Sequence, residues 1–129
     1  MKKQRIILML FLSAMTLAMV GCKKDTPEGP DPIQLANLLV GKWQQADSQI
    51  YWRFDANQHG ETWDESPEED VHEGEGTKLN WSISSDVLQI QLVGDMGQVV
   101  PYDYTIITLN AGLLVWKDIY GNSTTFARQ

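Results

Sequence analysis

A second cysteine is missing from this chain, so Cys22 has no disulfide partner within it. Histidine is nearly absent too: His59 falls in a turn-like stretch, DANQHG, and His72 in an acidic one. Neither has the ordered surroundings a general base needs, so a Ser, Cys or Thr nucleophile finds no partner here. A phosphate-cradling loop is also lacking, because EGEG at 73–76 runs into a strand-like segment and not a helix. Basic residues are few, 10 Lys and Arg against 17 Asp and Glu. That argues against nucleic acid, whose phosphates demand clustered Lys and Arg. These shortages point away from an enzyme, and no cofactor is called for.

No apolar run reaches the roughly 20 residues that span a bilayer. What is there instead is a leader, MKKQRIILMLFLSAMTLAMVGC, with Lys2, Lys3 and Arg5 ahead of an apolar stretch from Ile6 to about Val20. A short apolar run behind a basic start reads as a secretory signal. Its end, Val20-Gly21-Cys22, resembles a bacterial lipobox, with Met19 where leucine is commonest. The resemblance implies that Cys22 becomes the first mature residue, diacylated on sulfur and then acylated on its amine with palmitate-type chains. Two or three acyl chains, at about 0.8 kcal/mol per buried methylene, make such anchoring effectively permanent. The segment KKDTPEGPDP that follows has three prolines and nothing large enough to nucleate a core. Extended, it stands off roughly 30 Å. The organisation expected is therefore a signal peptide over 1–21, a lipidated tether over 22–32 and one domain over 33–129. Lys23 in place of an inner-membrane-retaining aspartate leans toward the outer membrane, on its periplasmic or cell-surface face.

Removing residues 1–21 takes away three basic residues and no acid, so the formal charge moves from −7 to −10. Eight carboxylates crowd between Glu61 and Glu75 with no Lys or Arg among them. Hard cations favour clustered oxygens, but the spacing and turn glycine of a calcium loop are missing. The segment reads as a solvated, flexible loop that repels self-association, and no metal is assigned to it.

Asp31-Pro32 followed by IQLANLL predicts a short helix over about Pro32–Leu38, with an N-cap and a proline in its first turn. Beyond it the pattern turns to short strands: Lys42–Gln45, Gln49–Asp55, Gly60–Asp64, Thr77–Ser84, Val87–Val93, Val99–Leu109, Leu113–Ile119 and Thr124–Arg128. WSISSDVLQI and ITLNAGLLVW each read as a strand, a polar turn and a return strand. In PYDYTIITL the apolar phase slips between Ile106 and Ile107, which predicts a bulge. Tyr102, Tyr104 and Ile106 are expected on one face, with Ile107 and Leu109 on the other. Eight antiparallel strands in succession hide their edges best by closing into an up-and-down barrel.

The run LLVGKW after a short helix, then YWRFDANQHGETW, the L-x-x-x-x-L-x-W hairpin and the final FAR resemble the small lipocalin-like lipoproteins abundant in Bacteroidetes. The resemblance covers roughly Leu38 to Gln129. It implies an all-β, eight-stranded antiparallel barrel with Gly41, Trp43 and Arg128 forming its base, the arginine stacked on the tryptophan. It also implies a non-catalytic protein that binds a small hydrophobic or glycan-derived ligand at the open end. Trp52, Trp81, Tyr104 and Trp116, on the inward phase, are the candidate ligand contacts. An eight-stranded barrel is either filled by its side chains or holds one small ligand. With strands this short, a mostly filled interior is expected. The alternative role is a protein-interaction module, an envelope inhibitor or accessory subunit, working through its surface and acidic loop, with Trp63 beside the loop as a candidate contact.

Overall fold

The computed structural model describes residues 31–129; the expected signal peptide, Cys22 and nearly all of the expected tether lie outside them. Helix α1 spans Pro32–Leu39, capped where Asp31 accepts from the Ile33 N–H at 3.0 Å. Eight strands follow: β1 Gly41–Gln45, β2 Ile50–Phe54, β3 His59–Asp64, β4 Thr77–Ser84, β5 Val87–Val93, β6 Val99–Leu109, β7 Leu113–Lys117 and β8 Ser123–Arg128. Each pairs antiparallel with the next, and β8 closes onto β1 through Trp43↔Arg128, Gln44↔Ala127 and Gln45↔Phe126. The fold is the closed eight-stranded meander expected from the turn spacing.

Strand alternation sorts the side chains. Trp43, Trp52, Phe54, Leu79, Trp81, Leu88, Ile90, Trp116 and Phe126 turn inward and form one core. α1 lies across one end, where Leu35, Ala36 and Leu39 pack on that core. This is the closed end, ringed by the starts of β1, β3, β5 and β7. The opposite end carries the β1–β2, β3–β4, β5–β6 and β7–β8 connections and forms the mouth.

The bulge falls where the phase slip predicts it, with the β6–β7 register shifting between Ile106 and Thr108. Its consequence corrects one expectation. Ile107 alone is looped out and 52 % exposed, while Leu109 returns to the interior opposite Leu114. The extra residue restores the inward phase, so Ile106 and Leu109 share the core and Ile107 does not.

Candidate functional site

The closed end is built around a guanidinium. Arg128 sits with its central carbon 4.3 Å from the centroid of the Trp43 ring. Its nitrogens donate to the carbonyls of Val40 (2.9 Å), Leu38 and Ala111. Gly41 follows at φ +139°, and a Cβ there would collide with the Arg128 guanidinium. Glycine is required both for that backbone angle and for that approach. The Trp43 indole donates to the Leu39 carbonyl at 2.8 Å, tying the last turn of α1 to β1. The three residues therefore seal the base.

Above them the interior is filled with rings. Trp52 meets Trp116 edge-on at 5.3 Å, and Trp116 lies 4.4 Å from Phe126. Tyr104 stacks on Trp116 at 4.4 Å and 18°, and Tyr102 continues the stack toward the mouth, 6.3 Å from Tyr104. Such offset pairs add about 0.5–1.5 kcal/mol beyond their burial. Tyr102 is 43 % exposed at the rim, whereas Trp116 is nearly sealed. The stack opens into a groove of about 460 Å³, walled by Tyr102, Tyr104, Ile119 and Tyr120 with Asp103 and Asp118 at its sides. Burial first, then the nearby Tyr102 and the Asp118 carboxylate, push the Tyr104 hydroxyl above its ordinary range. Tyr104 therefore stays a neutral phenol able to donate a hydrogen bond.

Of the four sequence-derived contact residues, Trp52, Tyr104 and Trp116 come together below the mouth. Trp81 does not join them. Its indole donates to the Asp55 and His59 carbonyls of the β2–β3 turn, and its ring meets Phe54 edge-on at 5.9 Å, toward the closed end. Alternation along β4 puts Trp81 inward, but only the register shows how deep it lies. Ile119 and Tyr120, in the β7–β8 turn, were not singled out from the sequence. Pro101 was the signal that could have drawn attention there, since proline inside a long strand marks a free edge.

The outer wall departs most from expectation. Trp63 is only 4 % exposed, stacked on Tyr51 at 5.5 Å with its indole on Glu65. It is not an exposed contact. Glu61 is completely buried beside it, because the acidic β3–β4 connection folds back over this face. Its carboxylate accepts from the Gly74 N–H (2.8 Å), the Gly76 N–H (2.7 Å), Lys78 (3.0 Å) and Arg53 (3.4 Å). Arg53 and Lys42 also hold Glu73, at 3.0 and 3.1 Å. Burial raises the Glu61 carboxyl, but Lys78 and the two glycine amides outweigh it and leave it below the ordinary carboxylate range. Basic residues on neighbouring strands thus pin the loop as a strap at Glu61 and Glu73, while Glu68, Glu69, Asp70 and Glu75 stay exposed to solvent as expected.

His59 is exposed with its Nδ1 2.6 Å from Asn80 Oδ1, and His72 is exposed beside Asp70 at 3.0 Å. No group of three His, Cys, Asp or Glu that could hold a metal ion occurs among the described residues.

Fold and site together define a small closed β-barrel with a packed core, a sealed base and an aromatic mouth, an architecture with the capacity to bind ligands. The model of the lipocalin-like domain matches residues 39–116, more than half the chain, and the chain belongs to that family. Lipocalin-like domains are generally binding folds without catalytic activity. No curated protein and no solved structure matches the chain.

Proposed function

We propose that this chain is a non-catalytic lipoprotein, anchored in the outer membrane through Cys22 and similar to the small lipocalin-like lipoproteins of Bacteroidetes. Its role is to hold a small hydrophobic or glycan-derived ligand at the open end of the barrel. One observation carries this reading: the Tyr102–Tyr104–Trp116 stack rises out of the filled core into the groove at the mouth. Ring faces accept an apolar body or the flat face of a sugar, and Asp103 and Asp118 accept from hydroxyls. Because the interior is packed, the ligand sits on the rim and not deep inside. The chain enters the domain through α1 at the closed end, and the roughly 30 Å reach of the tether lets the mouth stand clear of the membrane. A protein-interaction role through Trp63 loses its contact residue, since that ring is sealed under the strap.

Native mass spectrometry on the protein extracted from its own membranes in mild detergent reads both halves of the proposal. The acyl chains on Cys22 appear as a covalent increment, abolished by Cys22→Ala. The ligand appears as a further mass lost on denaturation. A chain without acyl mass overturns the anchor, and one without the second mass overturns the ligand.

A further inference from the structure

The barrel closes, but not along its whole height. β6 runs from Val99, whereas its pairing with β7 begins only at Thr105↔Lys117. On its other side β6 is paired with β5 throughout, from Val93↔Val99 to Val87↔Thr105. In that ladder Gly94 donates to Gln98 and Ile106 donates to Asp86. Hydrogen-bonded pairs alternate along an antiparallel ladder, so Val100, Tyr102 and Tyr104 turn their N–H and C=O groups toward β5. Val99, Pro101 and Asp103 turn theirs the other way, into the gap left by β7. Among the described residues no backbone hydrogen bond meets them there. Pro101 fits this parity, because its missing N–H costs the β5 ladder nothing.

The β7–β8 turn stands across the gap, and the mouth groove is the space between them. Nine large hydrophobic residues are exposed in the described chain, and six surround this edge: Met96, Val99, Val100, Tyr102, Ile119 and Tyr120. A free, apolar strand edge is a hazard that proteins ordinarily cover or charge. Here Asp103 and Asp118 flank it, and no Lys or Arg lines the groove.

We propose that the Val99–Asp103 edge of β6 is a docking strand for an extended segment of a partner protein that alternates apolar and basic residues. The segment lies in the gap as an added strand, bonded to the Val99 and Asp103 N–H groups and to the carbonyls of Val99, Pro101 and Asp103. Its apolar side chains meet Tyr102, Ile119 and Tyr120, and its basic ones meet Asp103 and Asp118. Charge selects this occupant over a second copy of the chain, which brings the same acids and the same proline to the edge and an overall formal charge of the same sign. The chain's own N-terminal segment enters at the opposite, closed end. The segment and the small ligand proposed above compete for this one groove, and the peptide test below reads the strand edge without any small ligand present.

The test uses the isotope-labelled full chain and a short capped peptide alternating valine and lysine, with amide hydrogen exchange followed by NMR. Exchange at Val99 and Asp103 is expected to slow about tenfold or more at saturating peptide, while Val100 and Tyr102, already bonded to β5, hardly change. The same peptide N-methylated along its bonding edge, or carrying glutamate for lysine, is expected not to bind. Asp103→Pro removes one free N–H together with the carboxylate without touching the β5 ladder, and is expected to weaken the peptide further than Asp103→Asn, which removes the charge alone, with melting temperatures unchanged. Failure of the valine–lysine peptide to bind overturns the proposal. Equal binding of the N-methylated peptide reduces the interaction to charge and also overturns it. So does protection of Val99 and Asp103 in the free protein that grows with concentration, which would make the occupant a second copy.

Discussion

Gly41, Trp43 and Arg128 act as one unit although 87 positions separate the first from the last. The arginine needs the bare Cα of Gly41 to reach the Val40 carbonyl, and its charge lies over the Trp43 ring. Trp43→Ala removes a fully buried ring and the bond to Leu39, and should cost about 3–5 kcal/mol in denaturant unfolding. An unchanged midpoint would contradict its place at the base. Glu61 makes a second test. Its carboxyl is held below its ordinary value, so its stabilisation is full above the unfolded pKa of about 4.3 and fades as pH falls through the lower folded value. Glu61→Gln should therefore destabilise by about 1–3 kcal/mol at neutral pH. The gap from wild type should shrink on acidification below the unfolded value, as melting temperatures across that range would show. A gap that stays constant would mean the charge is not what the strap grips. The Gly-x-Trp pair is legible in the sequence as a motif. The burial of Glu61 is not, because its partners Arg53, Lys78 and Gly76 become neighbours only when three strands align.

Elements were legible where side-chain period and turn chemistry agreed. The boundaries of β4, β5 and β6 match the sequence reading residue for residue, because each is a long alternating run between polar turns. The slip in β6 was visible as two adjacent isoleucines, but its geometry was not. Only the register shows that Ile107 is the extra residue and that Leu109 returns inside. Ile106→Ala should then cost about 2–5 kcal/mol and Ile107→Ala less than about 0.5. Equal costs in chemical denaturation would place both residues in the core and remove the bulge. The β3–β4 strap escaped the sequence reading for a related reason. Its composition announces repulsion and solvation, while the cations that hold it belong to β1, β2 and β4.

At the scale of the whole molecule the barrel has two unlike ends. Leader and tether point to an anchor at Cys22, and α1 feeds the chain into the sealed base. The mouth lies at the end opposite α1, and it gathers Tyr102, Tyr104, Ile119 and Tyr120. Inward alternation identified Trp52, Trp81, Tyr104 and Trp116 from the sequence but gave no height along the barrel. Register separates the three below the mouth from Trp81 near the base. The proposed ligand is held at this mouth, over the Tyr104–Trp116 stack. The five tryptophans report on it directly, because each indole N–H gives its own signal in a nitrogen–proton NMR spectrum. An extract of the host's envelope lipids and glycans is added to the labelled protein. Ligand at the mouth should move the Trp52 and Trp116 signals while Trp43 at the base and Trp63 under the strap stay in place. Silence from Trp52 and Trp116, or a shift confined to Trp63, would contradict it.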